Sequence, residues 1–143
     1  MDARRLRQLI YEHLAADGTA PDDSQLAAWS GGVAEARELV DELQRRHAVV
    51  LDEQGRLRMA LPFACTPTTH RVVAGERSWW ANCAWDALAI PAALSLDAQI
   101  EATWMDTGTP VDLQVVGGRL RGAAGFVHFV VPASRWWDDI VET

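Results

Sequence analysis

Leu6, Leu9, Ile10 and Leu14 recur at the three-and-four spacing of one helical face, with Arg4, Arg5 and Arg7 at more polar positions. That periodicity predicts an amphipathic helix over residues 2–16, stopped at Asp17-Gly18. Past Ala20-Pro21, the short oxygen-bearing side chains of Asp22, Asp23 and Ser24 offer N-caps for a short helix over 24–29, which Gly31-Gly32 ends. A third helix is predicted over 33–46, with Ala36, Leu39, Val40 and Leu43 on one face. Residues 48–51 and 56–60 then read as two strands of a hairpin around the turn Asp52-Glu53-Gln54-Gly55.

The pattern changes after Leu61-Pro62-Phe63, where Pro67 keeps the connection extended. Strands are predicted over 70–74 and 77–80, separated by Gly75-Glu76. They lead into an apolar helical stretch within 79–95, capped by Asn82 or Ser78 and ended or kinked by Pro91. Residues 99–104 and 111–116 read as strands; in the second, Val111, Leu113 and Val115 alternate with Asp112 and Gln114. Gly117-Gly118 turns the chain into a strand over 119–123. The nearly unbroken apolar run 125–132 predicts a central strand covered on both faces, and Ser134 a cap for a terminal helix carrying Trp136, Trp137, Ile140 and Val141.

This order implies an α+β fold in two parts: a winged-helix-like three-helix head at 1–61, and at 62–143 a mainly antiparallel sheet with one inserted helix. The head invites a DNA-binding reading, and charge argues against it. Residues 1–64 hold eight Arg and eleven Asp or Glu, and the third helix itself carries Glu35, Glu38, Asp41 and Glu42. The whole chain has a formal charge of −7, with every one of its 13 basic residues an arginine. Phosphate contacts need a positive field, so nucleic acid is disfavoured as a partner. The N-terminus lacks a secretory apolar stretch and no run approaches the roughly 20 apolar residues that cross a bilayer, so no membrane partner and a cytoplasmic location are expected.

Cys65 and Cys83 are the two cysteines of the chain, and in a reducing compartment they are expected as free thiols. Cys83 and Asp86 carry the strongest chemical signal. Three apart at a helix start, they share a face, so a soft nucleophile and a proton donor address one bound atom. A helix start favours the thiolate, whereas the apolar setting of Trp79, Trp80, Trp85 and Pro91 raises the carboxyl pKa by desolvation.

With these residues placed, the second half resembles the organomercurial (alkylmercury) lyase family. The resemblance rests on PTTHRV at 67–72, ANCAWD at 81–86, LAIPA at 88–92, TGTPV at 107–111 and VHF at 127–129. It implies an alkylmercury-lyase-like fold and cleavage of a carbon–mercury bond by protonolysis. On that likeness Cys83 binds mercury as thiolate, and Asp86 protonates the departing carbon and helps handle the metal. The family's second cysteine lies just upstream of the VHF strand, where this chain reads Ala123-Ala124-Gly125-Phe126 without a thiol. Hg(II) is soft and favours two thiolates, so Cys65 is the candidate for the missing sulfur.

Trp80, Trp104, Arg71 and His128 are candidates for lining the substrate pocket, Arg71 through an anionic substrate group. No cofactor is required; Hg(II) or another soft metal enters as substrate or product. The competing readings are a soft-metal or small-ligand binding protein on the same fold, and a winged-helix regulator whose second half senses a ligand. Trp136 and Trp137 are candidates for a homodimer contact.

Overall fold

The computed structural model describes residues 1–141. Helix α1 (Ala3–Asp17) begins where the Asp2 carboxylate accepts the Arg5 backbone N–H at 2.8 Å, and it buries Ala3, Leu6, Ile10 and Leu14. Helix α2 (Asp23–Ser30) opens with a capping box between Asp22 and Gln25, which satisfies two otherwise orphaned N–H groups. Helix α3 (Val33–Arg45) buries Ala36, Val40 and Leu43 and turns Glu35, Glu38 and Asp41 outward. The hairpin of β1 (Val50–Leu51) and β2 (Leu57–Ala60) follows, its turn organised by the Asp52 carboxylate, which accepts from the Gln54 and Arg56 backbone.

Eight strands form a single antiparallel sheet in the order β1-β2-β3-β5-β4-β6-β7-β8. The remaining members are β3 (Phe63–Ala64), β4 (His70–Ala74), β5 (Arg77–Ala81), β6 (Ala98–Thr103), β7 (Pro110–Val116) and β8 (Arg119–Gly122). Between β5 and β6 the chain forms helix α4 (Ala84–Leu94). Because strand side chains alternate, Val72, Trp79, Ile100 and Val115 share one face, and it is against this face that Ala87 and Ile90 of α4 and the apolar stripe of α1 are buried.

Trp79 locks the head onto this core. Its indole is 1% exposed and donates from Nε1 to the Leu14 carbonyl at 2.9 Å. Just beyond, Gly18 ends α1 in the left-handed region, and a Cβ there would collide with the Ser78 carbonyl oxygen. Glycine is therefore required twice over, by backbone angle and by the approach of the two chains.

Five expectations need correction. Residues 61–63 are more than a connection, since Phe63 and Ala64 pair with Met59 and Ala60 on one side and with Trp80 and Ala81 on the other. Of the two outcomes expected at Pro91, ending is ruled out, since α4 runs on to Leu94. The N–H that proline lacks would have faced Ala87, and the turn beyond is closed by Leu96 N–H on the Pro91 carbonyl. The cap of α4 is Cys83 rather than Asn82 or Ser78, the latter lying within β5. The apolar run 125–132 forms no strand. After Gly122, at φ 109, the Ala123 N–H closes on the Asp112 carbonyl, the chain leaves the ladder, and Phe126 is fully exposed. Finally, the terminal helix is a short 3-10 turn, Ala133–Asp138, preceded by Pro132 and without a side-chain cap from Ser134.

Candidate active site

β5 delivers the chain to one end of the sheet, and two residues later α4 begins there. Cys83 is the N-cap of α4: its backbone is extended, and its carbonyl accepts the Ala87 N–H at 3.0 Å. Asp86 then occupies the third helical position, which brings its carboxylate back over the cap. The Cys83 thiol donates to Asp86 Oδ2 at 3.5 Å, and both side chains are partly buried. The spacing that suggested a shared face thus becomes a contact.

Burial governs the ionisation of both groups. It pushes the Asp86 carboxyl up to about 6, against a smaller opposing effect of the thiol's hydrogen bond. It also raises the Cys83 thiol; the N–H groups of Asp86 and Trp85 favour the anion, but the Asp86 charge adds to burial and the net direction is upward. This reverses the expectation that the helix start lowers the thiol pKa. Near neutral pH the pair therefore rests as a neutral thiol donating to a carboxylate.

Cys65 stands apart from the pair. It follows β3 with its N–H on the Arg58 carbonyl, packs against the hydrophobic core, and has its thiol raised to about 11 by burial. Both cysteines are free, and among the described residues no three His, Cys, Asp or Glu side chains gather closely enough to hold a metal ion. The structure does not bring Cys65, Cys83 and Asp86 into one ligand set.

Arg71 and Trp80 lie together, on the sheet face opposite Trp79. The Arg71 guanidinium sits 5.7 Å from the Trp80 ring, pairs with Glu101 at 3.3 Å and donates to Ser78 Oγ at 3.0 Å. They border a groove of about 330 Å³. A second groove of about 560 Å³ runs between the C-terminal half of α4 and the β7–β8 hairpin, lined by Leu88, Pro91, Leu96, Val115 and Leu120. Neither Cys83 nor Asp86 lines either groove.

The chain beyond β8 returns to the site. Trp104 lies over Gly125 so closely that a Cβ there would stand 2.5 Å from its ring. Phe129 meets Trp85 edge-on at 6.5 Å and packs on Trp136 at 4.8 Å. Asn82 Nδ2 donates to the Ile140 carbonyl at 3.3 Å, and Trp137 stacks on His47 of the head at 4.0 Å. His128 is exposed on this same irregular run. The Asn82 contact was not foreseeable from sequence, because it joins a side chain to a backbone carbonyl 58 positions away.

The family model described as alkylmercury lyase matches residues 63–143. The alkylmercury lyases of Bacillus cereus and Clostridium butyricum are each 31% identical over 102 residues, which is 71% of this chain and 45% of theirs. The chain thus spans about half the length of these curated relatives. Its fold is similar to that of the mercury-bound form of MerB2, with TM-score 0.61 and 24% identity over 84% of this chain and 66% of that one.

Proposed function

The chain belongs to the alkylmercury lyase family, and from that premise we propose that it cleaves a carbon–mercury bond by protonolysis with Cys83 and Asp86. One observation carries the reading: the thiol and carboxyl that the family resemblance singles out are in contact at 3.5 Å on the first turn of α4. The neutral thiol passes its proton to the Asp86 carboxylate as sulfur bonds to mercury. Asp86, now protonated, gives that proton to the carbon as the carbon–mercury bond breaks. An organomercurial R–Hg–X and the thiol thereby become R–H and a sulfur-bound Hg–X, with no redox change. A carboxyl near 6 suits both halves of this relay, because it accepts and releases a proton near neutral pH at little cost.

A second reading is favoured by one specific observation. Residues 123–126 contain no thiol and Cys65 does not join the pair, so a single sulfur and a carboxylate face a metal that favours two thiolates. In that case the protein retains a soft metal without turnover.

The experiment is to incubate the protein with an organomercurial and excess small thiol, following released hydrocarbon and bound metal beside Cys83→Ser and Asp86→Asn. Lyase chemistry requires hydrocarbon release that both substitutions abolish. Stoichiometric metal without hydrocarbon supports retention, and indifference of both signals to Cys83→Ser would sink the two readings together.

A further inference from the structure

We propose that residues 123–141 form a strap across the mouth of the Cys83–Asp86 pair, latched by Asn82 and Trp85, and that its release controls access to the thiol. The strap touches the residue immediately before Cys83 and the residue immediately before Asp86: Asn82 holds the Ile140 carbonyl, and Trp85 holds Phe129. Its two ends are fixed elsewhere, by Trp104 over Gly125 and by His47 against Trp137. Held at its ends and latched at the residues next to Cys83 and Asp86, the segment crosses the start of α4 where the pair stands.

The holding is slight. Between Gly122 and Ala133 the strap has no strand or helix, and Phe126, Val127 and Val130 are exposed apolar side chains. Trp85, to which Phe129 docks, is itself 56% exposed. Few buried apolar contacts and little regular backbone bonding are the properties of segments that open without global unfolding. An internal bond at Trp136 Nε1 to the Val131 carbonyl, 3.1 Å, keeps the C-terminal part of the strap together as one piece. Together with the Phe129–Trp136 packing, that bond ties Phe129 to the turn that leads on to Ile140.

The test is the rate at which Ellman's reagent modifies Cys83, in a Cys65→Ser background so that one thiol reports. It depends on neither an organomercurial nor turnover, so it stands even if the lyase reading fails. Asn82→Ala removes one latch and raises the rate by about fivefold, the factor that one net hydrogen bond is worth. Phe129→Ala, which lies on the strap and outside α4, raises it by a similar factor through loss of its aromatic contacts. Trp137→Ala, at the distal anchor more than fifty positions from Cys83, also accelerates the reaction. Gating multiplies the rate equally at every pH, whereas a local change in thiol acidity shifts the midpoint of the pH profile. Unchanged rates for Phe129→Ala and Trp137→Ala in folded protein would overturn the proposal, as would a shift of the midpoint alone.

Discussion

Asp86→Asn should make the protein more stable at neutral pH while removing the proposed proton donor. The native carboxyl is raised to about 6 from an ordinary 3.8, because burial disfavours its anion. An acid with a raised native pKa costs stability as pH rises: the protein is fully spared below 3.8, loses stability through the interval to about 6, and holds a constant deficit above it. At 1.36 kcal/mol per unit, the shift corresponds to about 3 kcal/mol for a wholly enclosed group. Asp86 keeps some contact with water, and screening reduces the expected deficit to about 1.5 kcal/mol. Asparagine matches the neutral carboxyl in shape and still offers an oxygen to the Cys83 thiol. Urea denaturation at pH 7.5 should therefore show the variant's midpoint higher by roughly 0.5–1 M. At pH 3.5 the two proteins should coincide. The substitution also removes the negative charge that raises the Cys83 thiol, so its titration midpoint should fall. A variant no more stable than the parent at pH 7.5, or equally stabilised at both pH values, refutes the argument that burial of the carboxylate is the cause.

Three further outcomes are expected. Gly18→Ala should destabilise by about 3 kcal/mol, since it combines a left-handed backbone with collision on the Ser78 carbonyl, whereas Gly31→Ala, left-handed but facing open space, should cost about 1 kcal/mol; paired thermal melts check the difference. Hydrocarbon release should rise with pH through about 6, where Asp86 becomes able to take the thiol proton, and level off below the raised thiol pKa; a pH–rate profile flat from 5 to 7 contradicts the relay. Cys65→Ser should leave turnover intact and cost about 1 kcal/mol, because a hydroxyl replaces a core-packed thiol; loss of turnover in the folded variant would bring Cys65 back into the site.

The parts of the fold written in local chemistry were legible. The cap at Asp22, stops at Gly18 and Gly31, and the alternation of Val111, Leu113 and Val115 each depend on near neighbours. What escaped depends on distance. Phe63 and Ala64 acquire strand character only because Ala60 and Ala81 lie on either side. The run 125–132 has the composition of a buried strand, but Gly122 turns it off the ladder and across the sheet end. For the site, the spacing of Cys83 and Asp86 foretold their contact. The thiol's acidity was misjudged because helix-start arguments consider only the N–H groups, and burial with a neighbouring carboxylate outweighs them.

The two-residue strand β3 has a consequence for anyone dividing this protein. It sits against β5 along Trp80 and Ala81, immediately before Asn82 and Cys83. Cut the chain after Ala64, and the backbone groups of β5 on that side lose their partners, next to an indole-rich surface that the head no longer covers. Such an unpaired edge templates association with other chains. The smallest fragment worth expressing for its thiol chemistry therefore keeps α1 over Trp79 together with β1 and β2, so that β1 shields β2, β2 shields β3 and β3 shields β5. The head and β3 together thus cover the strand edge and the indole face that lead into Cys83.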